Sequence, residues 1–461
     1  MLYLLLIITF VFTLFNYKLV KKDLLSPSLI FSFMFFVYTF MCVINKNRFA
    51  ITLHLPTVLV ITIGLGIFSF FAARRKKTTG STIVEEDSTL NKIIIPNTIV
   101  FTLIVIQIIT IFAFIIYLTD ISMSYDKTSR SLSEMISLFD TMTKFWIPTF
   151  EKLNVAVPLL YRIGNPISTA GSYIILYVMV HNFVINKKIN VLHVISVLLL
   201  CVLIVLNGSR SPLFRVITMA FVIYYILSYK TEKIKIGNRK NLLKVMWLGI
   251  GVVLLFIIML FAMGRSDKIG NLGSYLFIYA GAPIVNLDTW IMNNTPRLFG
   301  GYASILGEQT FRTLYTYIAK LLHMPQLVHG TIDAFTYSSN GIEIGNVYTM
   351  YYKYIYDFGY IGVIILTAIL AWYYIGTYKK IQNTNVVGRF SLRLFTYAYL
   401  FNDLIMSTFS ARFYETVFDA PFIKLMIIVV FVKVFYFDYS KVKIWLNKPI
   451  RIEKFSEENY E

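Results

Sequence analysis

Apolar residues along this chain come in unbroken blocks rather than in spaced stripes. A hydrocarbon core about 30 Å thick needs about 20 consecutive apolar residues wound as a helix. Blocks of this kind stand near 2–17, 28–45, 56–73, 97–118, 167–185, 190–206, 212–228, 245–263, 361–378, 394–409 and 421–437, which makes eleven candidate spans. Short alternating segments, the pattern of an outer-membrane barrel, are absent. A soluble fold would have to hide long runs that are apolar on every side. The predicted fold class is therefore all-α: a polytopic integral membrane protein whose residues 1–461 form a single transmembrane domain. The opening MLYLLLIITFVFTLFNYKLVKKD has no basic leader and no small-residue cleavage site, so it reads as a retained first helix rather than a signal peptide.

The polar stretches between the blocks set the orientation. Lys18, Lys21 and Lys22 follow the first block, Arg74 to Lys77 the third, Lys187 and Lys188 the fifth. A lysine-rich segment follows the seventh, Lys379 and Lys380 the ninth, and a basic tail the eleventh. Basic residues hold loops in the cytoplasm, so the odd-numbered spans end inside. The N-terminus is expected outside and the C-terminus in the cytoplasm. Two long segments then fall outside, 119–166 and 264–360, while the linker 74–96 and the tail 438–461 fall inside. Long loops usually carry function, so the working face is expected to be the outer one. Both outer loops contain amphipathic stripes at helical spacing: Leu132, Met135, Ile136, Phe139, Met142, Phe145 and Trp146 in one, and Phe311, Leu314, Tyr315, Ile318, Leu321 and Leu322 in the other. Such stripes suit helices that lie on the bilayer, roof a cavity or pack on the bundle.

Composition adds little to this picture. The chain is 57% hydrophobic and 15% charged, and its 43 basic against 24 acidic residues give a net charge of +19. In a membrane protein that excess is accounted for by cytoplasmic loops and anionic lipids, with no nucleic acid implied. Cys42 and Cys201 both lie inside apolar runs and read as small hydrophobes.

Chemistry is narrowed first by absences. The chain has no GxxxxGK[ST] loop, HExxH, GxSxG or DxD element. An enzyme on the outer face would need a substrate that arrives already activated and tethered to lipid. Three arginines stand at the outer ends of even-numbered spans beside small residues: Arg210 in NGSRSP, Arg265 in MGRSD and Arg412 in FSARF. Arginine at a helix end can complement the dipole or snorkel to headgroups. Three at similar depth also suit a shared anion, since guanidinium forks match phosphate oxygens bidentately. Arg312, Thr316, Lys320 and His323 share the helical face opposite the second stripe, able to guide an anionic substrate or to lie wet against lipid headgroups. Outer carboxylates and histidines are the candidate proton acceptors: Asp267, Asp288, Glu308, Asp333, Glu343, Asp357, Glu415, Asp419, His323 and His329. Asp357 stands out at the mouth of the ninth span. Asp403, inside the tenth, is costly in lipid and is expected in a buried ion pair or polar network.

The stretch GNVYTMYYKYIYDFGYIG, from Gly345 to Gly362, resembles a segment of bacterial oligosaccharide repeat-unit polymerases, the Wzy-type O-antigen and capsule polymerases. NGSRSP is similar to that family's short G-S-R element, and KKDLLSPSLIFSFMF resembles its entry into the second helix. The resemblance implies a metal-independent glycosyltransferase without a cofactor. It would transfer a growing glycan from undecaprenyl diphosphate to a new lipid-linked unit, alongside a flippase and a chain-length regulator. On that reading Arg210, Arg265, Arg412 and Arg312 bind the diphosphate, and Asp357, Glu343 or His323 is the base. Asn346, Tyr348, Tyr352 and Tyr356 would meet the sugar through ring faces and hydroxyls. An O-antigen ligase or a lipid-linked oligosaccharide flippase is the competing expectation.

Overall fold

The computed structural model describes residues 1–74, 92–209, 211–233, 272–328 and 330–438. The eighth predicted span, with Arg265, Asp267, Arg210 and His329, lies outside the described residues.

Nearly all regular structure is helical. The chain runs α1 (Leu2–Leu19), α2 (Pro27–Ile44), α3 (Leu55–Ala73), α4 (Asn97–Asp126), α5 (Leu132–Lys144), α6 (Ile147–Lys152), α7 (Leu159–Asn186), α8 (Val191–Leu206) and α9 (Ser211–Lys230). It continues through α10 (Leu272–Ala280), α11 (Ala282–Asn294), α12 (Arg312–Leu322), a hairpin of β1 (Thr336–Tyr337) and β2 (Glu343–Gly345), and α13 (Tyr351–Phe358). The last helices are α14 (Tyr360–Gln382), α15 (Leu392–Ile405), α16 (Arg412–Val417) and α17 (Ala420–Val432).

Eight of the described helices are long and apolar enough to cross a membrane: α1, α2, α3, α4, α7, α9, α14 and the stretch Ala420–Phe437 that begins with α17. Two other predicted spans are shorter. α8 is an apolar helix over Val191–Leu206, and α15 has 14 residues before a 3-10 turn at Met406–Thr408. Ser407 and Thr408 turn their hydroxyls onto Leu404 and Ile405 carbonyls there, and α15 gives way.

Apolar packing between helices gains little from leaving lipid, so side-chain hydrogen bonds and close fit hold the bundle. Asn16 on α1 donates to Ser32 of α2 at 3.4 Å and Ser69 of α3 at 3.0 Å. Gln107 on α4 donates to the Ser172 hydroxyl of α7 and the Ser196 carbonyl of α8, both at 2.8 Å. Asp23, buried between α1 and α2, accepts from Tyr225 at 3.3 Å, and from Tyr378 at 2.8 Å and Gln382 at 3.1 Å. These segments were all assigned to one side by their charges, and they meet at one end of the bundle.

The two outer-loop stripes form α5 and α12. α5 opens with a capping box in which Ser131 and Glu134 satisfy each other's backbone amides. It buries Ile136 and Met142 against Phe114, Tyr117 and Leu118 of α4. α12 buries less of its stripe: Leu321 and Leu322 remain exposed. The hairpin was not foreseen, although Asn340-Gly341 is a turn signal; Gly341 takes φ +78°. Free Cys42 donates its thiol to the Gly281 carbonyl at 3.2 Å, joining α2 to the start of α11.

Candidate functional site

The aromatic stretch before α14 is first of all a joint. α13 ends at Asp357-Phe358, and Gly359 turns the chain into α14 with φ +73°. A Cβ on Gly359 would lie 2.7 Å from the Arg297 carbonyl oxygen and 2.9 Å from that of Gly300, so only glycine lets the loop approach this closely. Asp357 accepts the backbone N–H of Gln309 at 3.1 Å and of Thr310 at 2.6 Å. Burial pushes its carboxyl up from the ordinary range, and those bonds pull it back in part. Asp357 thus ties the large outer loop to the entry of α14, and it lines neither of the cavities described next.

A cavity of about 490 Å³ opens where the end of α8, the start of α9, α12, α13 and α16 converge. Its lining carries Arg215, Arg312, Lys353 and Arg412 together with Asp333, Glu415 and Asp419. Ser209 and Ser211, on either side of Arg210 in the chain, line it as well. A smaller chamber of about 150 Å³ adjoins it, lined by Asn346, Tyr348, Thr349, Tyr352 and Phe409. Asp333, Lys353, Ser410 and Arg412 belong to both.

The four cationic side chains come from four helices, α9, α12, α13 and α16. Arg215, in the first turns of α9, donates to Asp403 of α15 at 2.6 Å, to Tyr399 at 3.0 Å and to Thr416 at 3.3 Å. The buried ion pair expected for Asp403 is therefore with Arg215. Lys353 is 8% exposed and reaches Glu415 at 2.5 Å and Asp333 at 3.8 Å. Burial disfavours its charge, but the two carboxylates outweigh that and raise its pKa. Burial likewise opposes ionisation of Glu415, yet Lys353 and Arg412 together hold its carboxyl below the usual range. Asp333 shifts the other way: burial lifts it, and Lys353 offsets only part of the rise. The Nε atoms of Arg215 and Arg412 are buried without a partner among the described residues. A ligand with several acceptor oxygens would fill that gap.

Of the predicted diphosphate ligands, Arg312 and Arg412 share the large cavity. Of the predicted sugar contacts, Asn346, Tyr348 and Tyr352 line the small chamber, whereas Tyr356 packs near Trp290 and Tyr302 outside both. The hydroxyls of Tyr348 and Tyr352 do not point to an open ligand space as expected. They donate to the Ala334 carbonyl at 3.1 Å and the Ile332 carbonyl at 2.9 Å. Glu343 is exposed on β2, and His323 is the exposed residue that ends α12 at φ +54°; neither lines either of these two cavities.

Arg215 and Lys353 were missed. Arg215 falls inside a predicted span, where a charge is itself a signal of function or pairing. Lys353 hid among tyrosines. Among the described residues no three His, Cys, Asp or Glu side chains gather into a group able to hold a metal ion.

No family model, curated protein or solved structure matches this chain.

Proposed function

We propose that this chain is a membrane glycan polymerase. It takes a glycan carried on undecaprenyl diphosphate and transfers it to a hydroxyl of the next lipid-linked unit, on the outer face of a bacterial plasma membrane. The observation that carries the reading is the meeting of Arg215, Arg312, Arg412 and Lys353 around one cavity at a single end of an apolar bundle. A diphosphate offers many acceptor oxygens, and guanidinium groups remain charged in a partly dry site. Every segment that lines the cavity is one whose neighbouring charges assign it to the outer side. Cleavage at the anomeric carbon leaves charge on the diphosphate, so fixed cations there would lower the barrier. Arg215 is committed to Asp403 on one edge and contributes its remaining donors; Arg312 and Arg412 are the nearest equals to the predicted phosphate forks.

The test is the surface glycan of cells that lack the gene. Polymerase function predicts single capped repeat units in place of a ladder. Loss of all surface glycan would refute it in favour of a ligase or flippase. Arg412→Lys removes one of two parallel charged hydrogen bonds, worth about 1.5–3 kcal/mol. Binding of undecaprenyl diphosphate to the purified protein should weaken about 10- to 100-fold. Equal binding by Arg412→Lys and Arg312→Ala variants would remove both residues from the diphosphate site.

A further inference from the structure

Three carboxylates line the joined cavities, and they are not equivalent. Glu415 has Oε1 on Lys353 and Oε2 facing Arg412 at 3.5 Å, so both its oxygens are answered by cations. A carboxylate so paired is a weak proton acceptor. Asp419 lines only the large cavity, at the start of α17, with the Tyr317 hydroxyl 3.5 Å away. Asp333 alone of the three stands on the wall that both spaces share, with Lys353 Nζ at 3.8 Å, beyond a hydrogen bond.

The chain that carries Asp333 is held from both sides. Tyr352 donates to the carbonyl of the residue before it, and Tyr348 donates to the carbonyl of the residue after it. The two rings stack at 4.0 Å with planes 20° apart, and Trp290 meets Tyr352 edge-on at 4.9 Å. Burial pushes the Tyr348 phenol up to about 12, so it remains a donor at neutral pH. A loop residue thereby gains the fixed position that catalytic groups need. The small chamber beside it has the volume of about five liquid waters, the scale of one sugar ring and not of a polyprenyl tail. Asn346 lines it as well, offering an amide beside the ring faces.

We propose that the small chamber receives the terminal sugar of the acceptor, and that Asp333 takes the proton from its attacking hydroxyl. The assignment rests on the diphosphate reading of the large cavity. The acceptor oxygen bonds to the donor's anomeric carbon. The bond from that carbon to the diphosphate oxygen breaks, and its electron pair stays on the diphosphate. The hydroxyl proton passes to an Asp333 carboxylate oxygen and then to water. Tyr348 and Tyr352 act as positioning residues.

Asp333 works as a base only when ionised. The charges that face it are Lys353, Glu415, Arg412 and Arg312, with the phenols of Tyr348 and Tyr352 alongside. Its carboxyl is raised by burial, so on acidification transfer should fall at a higher pH than an ordinary aspartate would require.

The experiment replaces the chromosomal gene with D333N, D333E or Y352F, reads the cells' own glycan ladder, and measures undecaprenyl diphosphate binding to each purified protein. D333N should slow chain extension about 10²- to 10⁴-fold, the usual contribution of a general base, while diphosphate binding is retained or strengthened, since a negative charge leaves the cavity wall. D333E should restore a ladder with a displaced acid limb, and Y352F should reduce extension while the limb stays in place. A normal ladder from D333N overturns the proposal, as does a loss of diphosphate binding that matches the loss of transfer. If D333N does not reach the membrane, a wild-type rate without an acid limb, or a D333E protein whose acid limb coincides with the wild type's, overturns it. A wild-type protein that fails to bind undecaprenyl diphosphate defeats the diphosphate reading instead, and is told apart by that measurement.

Discussion

Lys353 is the cation on which the site balances, and replacing it with methionine tests the electrostatic reading directly. Methionine keeps most of the stem and removes the charge. In the native protein the ammonium is nine-tenths buried and reaches Glu415 at 2.5 Å and Asp333 at 3.8 Å. Removing one partner of a buried pair costs about 3–5 kcal/mol, because the other charge is left uncompensated. Glu415 retains Arg412 and is partly exposed, so the lower end, about 3 kcal/mol, is expected near neutral pH. The pH dependence has a definite sign. Glu415 has a depressed folded pKa, so its contribution is present above the unfolded value and is lost as pH falls through the folded one. Lys353 has a raised folded pKa, so its contribution is complete at neutral pH and is lost only at strongly alkaline pH. In K353M the two carboxylates lose their shared cation, Glu415 protonates more easily, and the gap between variant and wild type should narrow on acidification. The assay is unfolding in mixed micelles at neutral and acidic pH, with E415Q and K353M/E415Q completing a double-mutant cycle. A coupling of at least about 1 kcal/mol is expected for groups in direct contact. Additive single mutants, or a gap that widens in acid, would refute the reasoning.

The joint at the head of α14 yields two further predictions. Asp357→Asn places an amide where two backbone N–H groups need acceptors; one bond is lost or replaced by a donor clash, at about 1–3 kcal/mol. Limited proteolysis should then cut the segment around Gln309 and Thr310 sooner, even if the glycan ladder persists in cells that still fold the protein; unchanged protection would mean that Asp357 does not pin the loop. Gly359→Ala adds a Cβ at φ +73° against three backbone carbonyls, a strain of about 1–3 kcal/mol before the contacts are counted. Membrane-inserted protein should fall sharply, and normal yield would argue against so close an approach.

Local signals in the chain picked out residues that do gather at one cavity, and they were silent about partners that lie far apart in sequence. The GNVYT…DFG stretch was conspicuous, and its first part does border the site, but its most conspicuous acid serves the architecture. Asp357 is consumed by two backbone amides from a segment some fifty residues away in the chain, which no local pattern reveals. The tyrosine hydroxyls were expected on sugar and are spent on the backbone around Asp333. Asp333 itself was one of many outer carboxylates, and only its place between two chambers separates it from the rest. Arg312 and Arg412 were singled out from helix-end position and spacing, and both line the cavity; Arg215 escaped because it sits one helical turn inside a span.

What the sequence determined by itself is the class of molecule. Long apolar runs have one low-energy arrangement in a bilayer, the helix that satisfies its own backbone, so all-α membrane character follows from composition in one dimension. Charge between the runs likewise sorts the connecting segments into two expected groups. Which side chains meet across those segments was decided only in three dimensions. Ion pairs such as Arg215–Asp403 and Lys353–Glu415 join residues 188 and 62 positions apart. Their energy comes from burial and distance, and neither exists until the helices have packed.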